Sequence, residues 1–372
     1  MHARPRCTKA LSNKLTRYTE KMVRRPKLKE IDIPTWLRLL PKAELHLHLE
    51  GTVTPETLVE LSRRNDATPL TLEQAQAIYI YADFQAFLMA FKAVSDLLQT
   101  PADFALITYE MIRALASQGV VHAEVYISWG ILLRFKPELT ILSVMDAIED
   151  ARLRAEREFG TSVLWIIDAV RHFGVEEATS VFRLAAELKA TYPSIIGIGI
   201  GGDEARGPAG DFRDIYEEAR VAGLRLTVHA GESSGPEAIW SALNIGAERI
   251  GHGLAAQHDL DLLRELAERQ IPIEINVTSN IRTGCCPAYD AHPLREYFEG
   301  GLMVTLNSDD PPMFGSDLLG EYVLVQKLFA FSLDEMREFA ANSVEASFLQ
   351  PDRKLKLLGL IEQYGLPESS GN

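Results

Sequence analysis

Eight short β-like runs separated by helical patterns constrain this chain more than any other feature, because strands joined through helices pair in parallel. The runs fall at 43–49, 120–128, 163–170, 195–200, 224–229, 248–251, 271–277 and 302–307. Helical patterns cover 141–158, 175–190, 211–222, 236–245 and 259–269; in the last, leucines at 260, 262, 263 and 266 form a stripe. Eight βα units predict a closed (β/α)8 TIM barrel of the α/β class, whose active sites lie at the C-terminal ends of the strands. With 372 residues, 47% of them hydrophobic, the chain needs no second domain, and the expected barrel domain runs from 31 to 360.

The stretch from 51 to 119 is too long for an ordinary βα connection and reads as four helices, at 55–64, 72–78, 84–97 and 102–117. An insertion after the first strand sits over the barrel mouth. Its aromatics, Tyr79, Tyr81, Phe84, Phe87 and Phe91, either line a lid over an apolar substrate ring or pack in the core. Ten of the 38 basic residues fall within the first 29 positions beside a single acid, Glu20, so the remainder holds 28 basic against 51 acidic side chains. An acidic body of this kind repels nucleic acid. The basic segment 1–30 reads as a disordered leader or as sequence upstream of a start at Met22, although its composition also matches a targeting peptide. No apolar run reaches membrane-spanning length. Cys7, Cys285 and Cys286 form neither a disulfide framework nor a spaced metal motif, which fits a reducing cytoplasm.

His46 and His48 are separated by one residue, so on a strand their imidazoles face the same way. His229 and His252 end two further strand-like runs, and Asp309 and Asp310 follow another. A barrel gathers these ends on one face. His46, His48, His229 and Asp309 then form a nitrogen and oxygen donor set suited to Zn2+, one per chain, with a position left for water. Zinc lowers the pKa of such a water to near 7. Glu232, three residues beyond His229, is the expected general acid and base. The fourth strand run, Ile195-Ile-Gly-Ile-Gly-Ile-Gly-Gly-Asp203, lacks the lysine that bridges two metals in many hydrolases on this fold, so a mononuclear site is expected. His122-Ala-Glu124 starts the pattern of the small nucleobase deaminases, but no Pro-Cys-x-x-Cys follows. Neither His122 nor His292 is assigned to the constellation.

Six motifs in order, Glu-Leu-His-Leu-His-Leu-Glu-Gly (44–51), Gly-Gly-Asp-Glu (201–204), His-Ala-Gly-Glu (229–232), Arg-Ile-Gly-His-Gly (249–253), Thr-Ser-Asn (278–280) and Asn-Ser-Asp-Asp-Pro (307–311), make the chain resemble the adenosine deaminase family. The resemblance implies addition of hydroxide to C6 of a 6-aminopurine and departure of ammonia. It implies that His46, His48, His229 and Asp309 bind zinc, with Asp309 also catalytic and His48 also facing substrate. Glu232 then protonates N1, His252 orients the hydroxide, Asp310 hydrogen-bonds N7, and the backbone of Gly202 meets N3.

Glu50 stands where nucleoside-acting members have an aspartate that contacts the ribose 5′-hydroxyl, and glutamate there resembles the adenine-acting branch. Gly251-His-Gly253 is instead of the nucleoside-acting kind. Segments 229–237, 307–315 and 342–349 also resemble aminodeoxyfutalosine deaminases of menaquinone synthesis, which act on an adenosine bearing an aromatic acid at its 5′ position. The expected order of substrates is adenosine or deoxyadenosine, then aminodeoxyfutalosine, then adenine, all small molecules. Two other classes compete. A non-catalytic binding protein would have lost a ligand or the acid, and a binuclear amidohydrolase would carry two metals per chain.

Overall fold

A computed structural model describes residues 32–366; the leader, Met22 and Cys7 lie outside them. Eight parallel strands follow one another around a barrel: β1 Lys42–His48, β2 Val120–Ile127, β3 Ser162–Val170, β4 Ile195–Gly201, β5 Arg225–Ala230, β6 Arg249–His252, β7 Ile273–Ile275 and β8 Val304–Leu306. Closure is made where β1 meets the chain leaving β8. The amide of His48 donates to the Asp309 carbonyl and that of Asp309 to the His46 carbonyl, both at 3.0 Å. The Leu45 amide donates to Asn307 Oδ1 at 2.9 Å, so a side chain completes the seam.

The strand faces divide as the period of two requires. In β4, Ile198 and Ile200 join the main apolar cluster beneath the helices. Gly199 points to the barrel axis, where an added Cβ would lie 2.6 Å from Tyr126 Cε1 and 2.8 Å from Thr227 Oγ1. The axis is therefore polar, unlike the usual apolar layers of a barrel. Phe348 plugs its lower end, with Arg249 stacked over the ring at 4.0 Å and Arg225 at 4.4 Å.

Between β1 and β2 stand helices Pro55–Asn65, Leu72–Ile78, Phe84–Asp96 and Pro101–Ser117. Thr54, Thr71 and Asp83 cap the first three with their side-chain oxygens, which satisfies donors that a helix start leaves free. The insertion docks on the segment after β8: Tyr81 Oη donates to the Met313 carbonyl at 2.7 Å, and the rings of Phe87 and Phe314 stand 5.0 Å apart. Tyr79 instead donates to the Val53 carbonyl. Two strands are shorter than expected, and the run 302–307 is extended only over Val304–Leu306. The run 271–277 is extended only over Ile273–Ile275, and Val277–Arg282 is helical. Among the described residues, no helix is long and apolar enough to cross a membrane.

Candidate active site

The strand ends bring His46, His48, His229, His252 and Asp309 together, with the imidazole of His46 4.4 Å from that of His229 and 4.9 Å from that of His252. His48 Nε2 lies 3.2 Å from His229 Nε2 and 3.4 Å from Asp309 Oδ1, while His46 Nε2 lies 3.5 Å from the same oxygen. Donors bound at about 2.0–2.1 Å in a tetrahedral array stand about 3.3–3.4 Å apart. The spacing matches. His46 Nε2 is buried and has no hydrogen-bond partner, so its lone pair is directed at the point where the donors converge. The other oxygen of Asp309 is taken by Ser279 Oγ at 2.7 Å, which leaves Oδ1 for that point. The ligand atoms of His46, His48 and Asp309, and those of His46, His229 and His252, lie within 4.8 Å of one another, a donor set that fits a divalent ion of the zinc type.

Burial, reinforced by neighbouring imidazoles, holds His229 well below its ordinary pKa. Burial likewise pushes His48 down to about 4 and His252 to about 3. These rings are neutral, and those of His48 and His229 are free to donate lone pairs. His46 differs: burial opposes its charge, but Asp309 and Glu274 outweigh that and carry it up to about 10. Metal binding there displaces a proton.

The carboxyls sort by environment. Asp309 is held ionised, well below the usual range, because the histidines around it outweigh its burial. Burial and the adjacent Asp309 charge push Asp310 well above it. Glu232 rises in the same way, through burial and then the charges of Asp309 and Glu204. Both acids are thus shifted toward their protonated forms, and both line the cavity at the histidine cluster. Glu232 Oε2 sits 3.6 Å from His252 Nε2.

His252 and Asp309 both adopt φ of 64°, a left-handed conformation that is costly for residues with a Cβ and is found where surrounding contacts enforce it. For Asp309 the two seam hydrogen bonds supply that enforcement. For His252 it comes partly from Asn276 Nδ2 and Asn280 Nδ2, 3.3 and 2.9 Å from His252 Nδ1. With the amides donating, the remaining ring proton sits on Nε2, the atom turned toward Glu232.

Several supports were not singled out from the sequence. Glu274 accepts from His46 Nδ1 at 2.8 Å and binds Arg249 Nε at 2.6 Å, and Arg249 in turn pairs with Glu124. A carboxylate on the far nitrogen of a metal-binding imidazole fixes its tautomer and raises its basicity. Arg249 and His122 overcome burial to hold Glu124 at about 2, so His122-Ala-Glu124 is part of the barrel axis. Glu204 accepts the amides of Gly231, Glu232 and Ser233, each at 2.8 Å, and so fixes the turn that carries the acid. His292, left out of the constellation above, reaches it through Asn280 Oδ1 at 3.2 Å.

A cavity of about 310 Å3 opens onto this cluster, and Gly202, Glu232, His252, Asp309 and Asp310 line it. Gly202 has φ of 92°, and a Cβ there would meet His172 Nδ1 at 2.8 Å, so only glycine presents its backbone here. Of the insertion aromatics, Phe84, Phe87 and Phe91 line the cavity, and it continues to Phe135 and Phe173 with Arg206 at its edge. Glu50 is not in the wall. Its Oε1 accepts the Ser128 amide at 3.0 Å, and Ser128 and Asp168 are the lining residues on that side.

The family model described as Adenosine deaminase matches residues 41–364. An aminodeoxyfutalosine deaminase of Streptomyces avermitilis is 41% identical over 336 residues, covering 90% of this chain and 93% of the relative. The crystal structure of an adenine deaminase from Arthrobacter aurescens superposes with a TM-score of 0.82 at 33% identity, over 87% of this chain and 98% of that one. An amidohydrolase from Burkholderia ambifaria with bound Zn superposes with a TM-score of 0.80 at 25% identity, over 90% and 94% of the two chains.

Proposed function

The chain belongs to the adenosine deaminase family, a deaminase-type hydrolase, and from that premise we propose that it deaminates an adenine nucleoside carrying an aromatic acid at its 5′ position, of the aminodeoxyfutalosine kind. This reverses the order read from the sequence, which put adenosine first; the relatives give adenosine no support, whereas an aminodeoxyfutalosine deaminase is 41% identical. The observation that carries the reading is the cavity itself. It runs from the histidine cluster past Phe91, whose ring meets that of His48 edge-on at 6.2 Å, to Phe135, Phe173 and the cation of Arg206. A free base would leave that aromatic end empty.

Zinc is the proposed ion, held by His46, His48, His229 and Asp309, and when bound it supplies an ionised water nucleophile at neutral pH. Addition at C6 builds negative charge on a ring that resists it. Glu232, kept protonated by its surroundings, delivers its proton to N1 and removes that charge. Asp310, also protonated, donates to N7, and the Gly202 backbone faces N3. The protonated Nε2 of His252 orients the nucleophile on the side of Glu232. The proton of the added hydroxyl then passes to the amino group, the C6–N bond breaks and ammonia leaves, with the proton from Glu232 kept on N1 of the 6-oxo product and the next water returning a proton to Glu232. Each preorganised contact of this sort is worth roughly 3 to 4 kcal/mol in a transition state.

Turnover of the zinc-loaded protein on adenine, adenosine, deoxyadenosine and aminodeoxyfutalosine, followed at the purine absorbance maximum, tests the proposal. The highest kcat/KM is expected for aminodeoxyfutalosine. Adenine as the fastest substrate, or no deamination at all, would overturn it.

A further inference from the structure

We propose that Asp168, supported by Ser128 and Glu50, binds a 2′- or 3′-hydroxyl of the substrate's ribose and so commits this site to nucleosides over the free base. The inference rests on the deaminase reading, because that reading orients the purine. With N1 at Glu232 after β5, N3 at Gly202 after β4 and N7 at Asp310 after β8, the ring edge bearing N9 turns away from β5 and β6. In a closed eight-strand barrel the strand ends across the mouth are those of β1 to β3. A sugar on N9 therefore arrives between Ser128, at the end of β2, and Asp168, on β3.

What waits there is a carboxyl with an unmet need. Asp168 lines the cavity yet is only 4% exposed. Its Oδ2 is 3.5 Å from Ser128 Oγ, and its Oδ1 has no hydrogen-bond partner. Glu50, 2% exposed, spends Oε1 on the Ser128 amide and leaves Oε2 without a partner as well. Among the described residues no cation pairs with either; the nearby guanidinium of Arg171 is bonded to the His229 carbonyl at 2.7 Å. A buried carboxyl oxygen lacking a donor is costly. Sugar hydroxyls are donors of the right kind, and adenine brings none of them, its one donor on that edge being the N9–H held close to the ring.

The test compares wild type, Asp168→Asn and Ser128→Ala, all zinc-loaded, on adenine, adenosine, its 2′-deoxy and 3′-deoxy forms, and aminodeoxyfutalosine. Removing a hydrogen bond to a charged or buried polar group costs about ten- to a hundred-fold in kcat/KM. Wild type should lose that factor on one deoxy form. Asp168→Asn should lose it on the intact nucleosides, show no further loss on that deoxy form, and leave adenine turnover unchanged. Equal losses on adenine and nucleosides would make Asp168 a structural residue and overturn the assignment. So would a wild type indifferent to both missing hydroxyls, a result that needs no variant to fold. Absence of turnover on every 6-aminopurine overturns the deaminase reading itself, which distinguishes that failure from this one.

Discussion

Glu274→Gln is the substitution with the most to say about how this site is held. Glu274 is fully buried, with Oε2 2.8 Å from His46 Nδ1 and Oε1 2.6 Å from Arg249 Nε. The carboxylate accepts from His46 and holds Arg249 as an ion pair, whereas an amide carries no charge and offers one oxygen and one NH2. If the amide oxygen serves Arg249, its nitrogen faces His46 Nδ1 and favours the tautomer whose proton blocks Nε2 from metal. If the oxygen serves His46, the NH2 opposes the Arg249 Nε–H. Either arrangement leaves one buried donor unmatched, about 1–3 kcal/mol, which at 1.4 kcal/mol per decade is about ten- to a hundred-fold in metal affinity, the range found for such outer supports. Arg249 keeps Glu124, so the variant should fold. Glu274→Leu removes both acceptors at once and should lower unfolding free energy by about 3–5 kcal/mol, as breaking a buried pair does. Zinc titration against a competing chelator reads the first effect, and urea unfolding of the metal-free protein reads the second. A folded Gln variant binding zinc as tightly as wild type would refute the argument and reduce Glu274 to packing.

Glu232→Gln keeps size and hydrogen bonding but not the transferable proton, so turnover should fall by about 10² to 10⁴ while elemental analysis still finds zinc; near wild-type rates would shift the proton donor to Asp310. Gly199→Ala places a Cβ 2.6 Å from Tyr126 Cε1 and should cost about 1–3 kcal/mol in urea unfolding, the usual penalty for overpacking. Unchanged stability would show that the barrel axis has room to spare.

The barrel and the gathering of His46, His48, His229 and Asp309 at its mouth were legible for a local reason. The longer strands carry their own period, as in the Gly and Ile alternation of β4, and His46 and His48 announce their common face within three residues. The boundary at 277 was not legible, because Val277 and Thr278 are β-branched and favour strand, while the fold needs a helix there to bring Ser279 to Asp309 and Asn280 to His252. Propensity gave way to the site.

The axis was hidden for a different reason. Glu124 and Arg249 are 125 positions apart in the chain, and Glu274 lies in a three-residue strand, too short to display a pattern. Their partners are set by closure of the barrel, which no window of sequence contains. Yet closure also dictates the strained ends. Asp309 takes its left-handed φ where the seam bonds to β1 hold its backbone, and His252 takes the same φ beside the amides of Asn276 and Asn280. The conformations least favoured by the local chain thus fall on a proposed metal ligand and on the imidazole facing Glu232, where the rest of the barrel can enforce them. A ring of charges buried beneath, from His46 through Glu274 and Arg249 to Glu124, resists any relaxation of that strain, since moving one member would leave another unpaired in the core.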